Sequence, residues 1–329
     1  MKVVVLHTKD AVEPPPADPV LGQVEGALRA LGHEPRLLAV DAAGVDALVQ
    51  SLTTDRLDLV LNLAEGFGGK SALESSVAGL LNLLDLRYTG SSPAGLLCAG
   101  DKSLTKKVLS FHSIKTPAFA TVYRGAVDWA GDISFPLIVK PPQEDASLGI
   151  TQKSVVRDVR ELLNKIGEMQ SEFGQPALVE EFVEGREFYV GVLGNVNAKA
   201  LPVIELDFSA FPADRPRIAS WEAKWGDAGD AKGAEFEGTK SVFPTDVPEE
   251  LLSRMQAVAV ESFQALRLRD YARIDLRVTE AGEIYVIEVN PNCYLEAESE
   301  FARAAARGGL EHPALIARIL ELALARYAR

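Results

Sequence analysis

Short apolar runs and longer amphipathic stretches alternate from the first residues of the chain onward. Val3-Val4-Val5-Leu6 is one such run, and Leu57-Asp58-Leu59-Val60-Leu61-Asn62-Leu63 is another. Runs this short and this rich in branched residues predict buried strands. Residues 20–31 space their apolar positions for a helix that ends at Gly32, a suitable C-terminal cap. Residues 36–40 resume a strand, and 72–85 read as a helix. Residues 10–19 hold Pro14, Pro15, Pro16 and Pro19 and are expected as a loop. Strand–helix alternation predicts a parallel α/β lobe over residues 1–93.

The pattern then changes. Helices are expected at 101–112 and 158–171, and strands at 118–123, 135–140 and 177–183, which describes a small α+β lobe over 94–183. A third lobe, 184–329, carries strands at 186–193 and 199–206, a helix at 248–266, a hairpin at 272–290 and a closing helix at 313–327. Residues 226–240 are polar and glycine-rich, and a loop of that length in a compact pattern is expected to be a lid or unstructured.

The hairpin has chemical content. With Ala281-Gly282 as its turn, Val278 faces Tyr285, Leu276 faces Ile287 and Ile274 faces Val289 on an apolar side. Asp275 then faces Glu288, and Arg273 faces Asn290, on the other side. A slip by one residue would mix the faces, so the pattern selects this register. Opposed carboxylates repel and need compensation. A divalent cation with oxygen ligands supplies it, and Asn290 adds a neutral oxygen. Arg273 is a fixed cation for phosphate or a developing oxyanion. The bland alternative is a solvated face on which Arg273 and Arg277 merely screen the acids.

Composition narrows the partners. A net charge of −13 argues against nucleic acid and anionic membranes. Two cysteines, Cys98 and Cys293, do not make a disulfide framework and suit a reducing cytoplasm. The four histidines (His7, His33, His112 and His312) are scattered, without zinc-ligand spacing. The first apolar run is too short for a signal segment or a membrane span.

Further segments carry weaker signals. Lys140 ends an apolar strand, where it suits phosphate contact or simply snorkels to the surface. Residues 144–149 form a small-residue loop that can offer backbone N–H groups to phosphate, or an ordinary turn. Residues 179–187 join two strands, a place where backbone groups can read a base and Glu187 a ribose. Gly69-Lys70-Ser71 is not a Walker loop, because Ala64 stands where that motif needs glycine. No Gly-x-Gly-x-x-Gly follows the first strand, so a dinucleotide oxidoreductase has no support.

Taken together, the segments Arg87–Ser91, Asp101–Lys106, Phe135–Pro141, Leu178–Glu187, Arg273–Asp275 and Glu288–Asn292 resemble, in this order and spacing, the D-alanine–D-alanine ligase family of the ATP-grasp superfamily. The resemblance implies an ATP-grasp fold of α/β and α+β parts behind an N-terminal Rossmann-like lobe. It implies that Lys102 and Lys140 contact nucleotide phosphates, that Glu180, Glu181 and Val183 line the adenine pocket, and that Glu187 binds ribose. Ser147 and Gly149 would belong to the phosphate loop, and Lys224 would reach the γ-phosphate from the lid. Asp275, Glu288 and Asn290 would hold two Mg²⁺ ions, replaceable by Mn²⁺, and Arg273 would stabilise the tetrahedral intermediate. The implied reaction joins a small-molecule carboxylate to an amine through an acyl phosphate, releasing ADP and phosphate. The implied assembly is a homodimer.

The departures concern the substrates. The family's early Ser-x-Glu segment has no good match in Thr8–Pro15, and its His-Gly is replaced by Glu65-Gly66. After Asn290 the family's Pro-Gly-Met-Thr-x-His-Ser run becomes Cys293-Tyr294-Leu295-Glu296-Ala297-Glu298-Ser299, so only Ser299 keeps its place and Glu298 stands where His is expected. An added carboxylate favours a cationic or hydroxylated group, so the substrates are expected to differ from D-alanine plus D-alanine. Two further functions use the same residues: a small-molecule kinase of the same superfamily, and a non-catalytic nucleotide-binding module.

Overall fold

The computed structural model describes residues 1–8, 18–40, 44–129, 132–144, 147–212, 214–225, 236 and 238–328. Most of the proline-rich loop and most of 226–240 lie outside the described residues, so the expected lid does too. Three sheets organise the rest.

The first sheet is parallel, in the order β2 (Glu34–Ala39), β1 (Lys2–His7), β3 (Leu59–Leu63). β1 and β3 are apolar on both faces because both faces are covered, while the edge strand β2 is exposed or half-buried along its length. Val3, Val5, Leu59 and Leu61 pack with Ile316 and Ile319 of the closing helix His312–Tyr327, while Val4, Leu6 and Val60 pack with Leu48, Val77, Leu81 and Tyr88.

The second sheet is antiparallel: β4 (Phe119–Tyr123), β5 (Ala126–Trp129), β6 (Leu137–Lys140), β7 (Val155–Val156) and β8 (Ala177–Glu181) lie in the order β5-β4-β8-β6-β7. The third holds β9 (Arg186–Gly194), β10 (Lys199–Ala200), β11 (Ile204–Asp207), β12 (Lys240–Val242), β13 (Asp270–Val278) and β14 (Ile284–Pro291), in the order β12-β11-β9-β13-β14 with β10 on β9.

Alternation along β9 and β13 splits the third sheet into two faces. Phe188, Val190, Val192, Ile274 and Leu276 pack beneath the helix Glu249–Ala265. The other face is divided along its length. Tyr271 and Leu193 join a core with Phe301, while Glu187, Asp275 and Arg277 further along line a cleft. Gly191 lies where Phe301 and Leu201 press on the backbone, and a Cβ there would sit 2.8 Å from both side chains. Gly191→Ala is therefore expected to destabilise the fold by about 1–3 kcal/mol in urea unfolding.

The hairpin keeps the expected pairs where the charges lie. Asp275 faces Glu288, Arg273 faces Asn290 and Ile274 faces Val289. Beyond them the expectation needs correction. Leu276 pairs with Val286 and Val278 with Ile284, so Ile287 is a bulge residue opposite no partner of its own. The turn is also longer than two residues. Thr279 N–H donates to Glu283 O and Glu283 N–H to Thr279 Oγ1, with Gly282 at φ +77°. This is a three-residue loop that needs a left-handed glycine. The bulge turns Ile287 out of the core face and into the cleft beside Glu288.

Several helices were not expected: Gly44–Thr53, Pro93–Ala99 and Glu300–Arg307. The last two have side-chain caps, Ser92 accepting from Gly95 N–H and Ser299 from Ala302 N–H. Among the described residues no helix is long and apolar enough to cross a membrane.

One buried network ties the lobes together. Asp270, fully buried at φ +63°, accepts from Gly90 N–H (2.7 Å), Asn195 Nδ2 (3.0 Å) and the Arg326 guanidinium (2.8 and 3.2 Å). Arg326 also donates to Tyr88 O at 2.8 Å. The start of β13, the parallel lobe and the closing helix thus share one ion pair.

Candidate active site

The second and third sheets face each other across a cleft of about 580 Å³, open solvent at its mouth included. One wall owes its polar groups to strand ends, the other to positions within strands. Lys140 ends β6, Glu180 and Glu181 end β8, and the linker continues with Phe182 and Val183. From the third sheet come Glu187 on β9, Asp275 and Arg277 on β13, and Glu288 with Ile287 on β14. Ser147 reaches the cleft from the loop after β6.

Eight of the residues singled out in the sequence therefore line one cavity: Lys140, Ser147, Glu180, Glu181, Val183, Glu187, Asp275 and Glu288. Three more attach to it. Lys102 Nζ lies 2.9 Å from Glu288 Oε1 and donates to Glu144 O at 2.5 Å. Arg273 grips Asp275 with two hydrogen bonds, Nε to Oδ1 at 2.8 Å and Nη2 to Oδ2 at 2.9 Å. Asn290 sits on the next pair along, and its amide nitrogen is buried without a partner among the described residues. Gly149, at φ +76°, lies two residues past Ser147, where a Cβ would sit 2.8 Å from the Phe173 ring. Lys224 falls on the short helix Trp221–Trp225, and its side chain lies outside the described residues.

The opposed acids are thus compensated by cations, one of which, Arg273, the sequence offered as the alternative to metal. Arg273 holds Asp275, and Lys102 holds Glu288. Burial works against the charge of Arg273, but Asp275, with help from Glu300 (3.7 Å), more than reverses this and raises its pKa above the ordinary arginine value. The Arg273 guanidinium also lies 4.6 Å from the centre of the Tyr189 ring. Burial, followed by the Glu187 and Asp275 carboxylates, drives the Tyr189 phenol well above its usual pKa. Tyr189 therefore stays a neutral donor to Glu187 Oε1, at 3.0 Å.

Glu187 is fixed from its other oxygen by Arg277 at 2.8 Å. Arg277 donates as well to Gly185 O at 3.0 Å and to Arg217 O, and its guanidinium lies 5.7 Å from the Phe182 ring. Arg277 is consequently more than a screening charge: it orients Glu187 and closes one end of the cleft. Lys106 was quoted in the sequence motif without a role. It is buried beside Glu180 (3.2 Å), and burial pulls its pKa down to about 8 against the pull of that carboxylate. The available signal was its spacing, since Lys102 and Lys106 occupy one buried face of the helix Lys102–Phe111.

The substrate-side residues lie elsewhere. Glu65 lines a second cavity with Thr8, Asp18 and Tyr294, at the carboxyl ends of the parallel strands β1 and β3. Tyr294 OH donates to Asp18 Oδ1 at 2.7 Å. Asn292, on the same rim, accepts from Ser91 N–H at 2.9 Å. Ser299 caps the helix Glu300–Arg307 and donates to Tyr294 O at 3.1 Å, while Glu298 is exposed next to it. Neither Ser299 nor Glu298 lines this cavity as described. Among the described residues no cluster of three or more His, Cys, Asp or Glu side chains makes a metal cage.

Comparison with known proteins bears on this geometry. Residues 111–321 match the family model of the D-ala D-ala ligase C-terminus. The chain is 31% identical to a D-alanine–D-alanine ligase of Aquifex aeolicus, over 90% of this chain and 92% of that one. It is 32% identical to an uncharacterized protein, y4sG, of Sinorhizobium fredii, over 96% and 90%. Its fold is similar to that of the D-alanine–D-alanine ligase from Bacillus anthracis complexed with ATP, with a TM-score of 0.76, 22% identity and 98% of each chain covered.

Proposed function

Because the chain belongs to the D-alanine–D-alanine ligase family of ATP-grasp enzymes, which are ATP-dependent ligases that form C–N bonds, we propose that it joins a small-molecule carboxylate to an amine through an acyl phosphate, and that the cleft between the antiparallel sheets holds the ATP. The observation that carries this reading is the convergence of Lys140, Glu180, Val183, Glu187, Asp275 and Glu288 on one cavity from two facing sheets.

In this proposal Glu180, Glu181 and Val183 hold adenine, Glu187 holds ribose, and Lys102 and Lys140 meet the phosphates, with Ser147 and Gly149 in the loop over them and Lys224 at the γ-phosphate. The donor set at the far wall suits Mg²⁺. Asp275, Glu288 and Asn290 offer hard oxygens, and two carboxylates completed by phosphate oxygens and water are the usual way this ion is held. Bound there, Mg²⁺ would neutralise charge on the phosphates. Lys102 and Arg273, which now occupy those carboxylates, would be released towards anionic ligands. Attack by the donor carboxylate on the γ-phosphorus expels ADP and leaves an acyl phosphate. Attack by the amine then forms a tetrahedral oxyanion, which Arg273 is placed to stabilise. Collapse of that oxyanion releases phosphate and the amide.

The substrate pair is proposed to differ from D-alanine plus D-alanine. Asp18 and Glu65 both line the second cavity, and none of its described lining residues is lysine or arginine. Such a pocket favours an ammonium or hydroxyl group over a carboxylate, which the ammonium of D-alanine also satisfies; what supports a different pair is Glu65 and Glu298 standing where the resemblance expects histidine. ADP release with a panel of amino acids tests both statements. We expect D-alanine as sole donor and acceptor to give background turnover, and at least one pair with a cationic or hydroxylated member to exceed it at least tenfold. Full activity with D-alanine alone would refute the substrate assignment. ADP release unaccompanied by phosphate release, with the phosphoryl group retained on the substrate, would favour a kinase over a ligase.

A further inference from the structure

Glu180 is nearly completely buried (1% exposed) at the wall of the cleft, and its two oxygens are unlike. Oε2 is shared by Lys106 at 3.2 Å and Lys140 at 3.3 Å. Oε1 is buried without any hydrogen-bond partner among the described residues. A buried acceptor left unmet is costly, and a carboxylate oxygen is an acceptor only, so a ligand N–H is what this atom lacks.

The two lysines differ as well. Lys140 lines the cleft at the end of β6. Lys106 does not line it, is 1% exposed, and is anchored by donating to Thr116 Oγ1 at 2.8 Å. Of the two cations on Glu180, only Lys140 is placed to be drawn away by a phosphate.

We infer that Lys106 is a positioning residue for base selection: it fixes Glu180 with Oε1 presented to the 6-amino group of adenine, so that the site prefers 6-amino over 6-oxo purine nucleotides. The inference rests on the proposed reading of the cleft as the ATP site. The physical logic has two steps. A buried carboxylate stripped of its counter-charge is strongly unfavourable. When Lys140 turns to the phosphates, Lys106 is the cation that stays, and it holds Oε2 so that Oε1 remains the free acceptor. A 6-oxo purine would then set an acceptor against an acceptor, and a site built to receive a hydrogen bond rejects the analogue that cannot give it. Burial lowers the Lys106 pKa only to about 8, so the cation is still present at neutral pH.

The test is binding of ATP and of inosine triphosphate, each with Mg²⁺, by calorimetry. Wild type is expected to favour ATP by about tenfold or more, the size of a hydrogen bond to a charged group. Lys106→Met is expected to lose most of that preference by weakening ATP while leaving inosine triphosphate nearly unchanged, and Lys106→Arg to restore it. A folded Lys106→Met that keeps the wild-type preference overturns the inference. Should Lys106→Met fail to fold, Glu180→Gln decides: its amide can turn an N–H to a 6-oxo group, so inosine triphosphate should bind at least as well as ATP, and a retained ATP preference overturns the inference. Wild type binding both nucleotides equally overturns the base selection and leaves the ATP site standing. Wild type binding neither overturns both.

Discussion

Asp275→Asn is expected to reduce ADP release by about three orders of magnitude, in the presence of whichever amino-acid pair supports wild-type turnover. The size follows from the chemistry: charge neutralisation at a transferring phosphoryl group amounts to several kcal/mol, and each 1.36 kcal/mol is a factor of ~10 in rate. Asparagine keeps the shape and the strand position of Asp275 but not its charge. The substitution also takes one of the two carboxylates from the proposed metal face and releases Arg273 from its two-point grip. Some loss of stability is expected as well, because a buried guanidinium is left with Glu300 as its remaining acidic neighbour. Circular dichroism separates the two effects. A folded Asp275→Asn protein that releases ADP within tenfold of wild type would contradict the assignment of this carboxylate.

The largest expected effect on stability belongs to Asp270, away from the cleft. Asp270→Asn should destabilise the protein by about 3–5 kcal/mol, the usual result of removing one partner of a buried ion pair. Asparagine tolerates the left-handed backbone found at this residue, so the change tests the charge and not the conformation. Arg326 would keep its bonds to Tyr88 O and Gly90 O but lose its counter-charge. Because the network joins the parallel lobe, β13 and the closing helix, the loss should appear as a lower urea midpoint for the chain as a whole. A midpoint within about 0.5 kcal/mol of wild type, the scatter of ordinary surface changes, would show that the pair contributes little.

How far the sequence reached is clearest in the hairpin. Alternation placed Ile274 and Val289 inside and Asp275 and Glu288 opposite each other, because one polar residue between two apolar ones admits one orientation. It failed at Val286-Ile287, where two adjacent apolar residues fit either face, and the bulge that chooses between them is a matter of backbone pairing with β13. The switch from a parallel sheet to antiparallel ones was legible from the change of period. The short helix Glu300–Arg307 was not, although Ser299 before an alanine-rich run was a usable start signal.

The cleft was legible residue by residue but not as a circuit. Glu187, Glu180 and Lys140 are each visible at strand ends. That Arg277 fixes Glu187, and that Glu180 is shared between Lys106 and Lys140, depends on partners from different strands and helices. No local pattern encodes such pairings. The same holds for the compensation of Glu288 by Lys102, whereas that of Asp275 by Arg273, two residues away on one face of β13, is the screening alternative the sequence offered. The second cavity was the least legible part, since its walls come from the ends of β1 and β3 and from the segment after β14, far apart in the chain.

The central claim is that Asp275, Glu288 and Asn290 hold Mg²⁺ against ATP in the cleft, and it can be tested without knowing either substrate. The measurement is calorimetric binding of a non-hydrolysable ATP analogue to wild type and to Asp275→Asn, each with Mg²⁺ and with EDTA. Mg²⁺ is expected to tighten binding to wild type by about tenfold or more and to have little effect on the variant. Wild-type affinity that is the same with Mg²⁺ and with EDTA, or a variant that responds to Mg²⁺ as wild type does, would contradict the account.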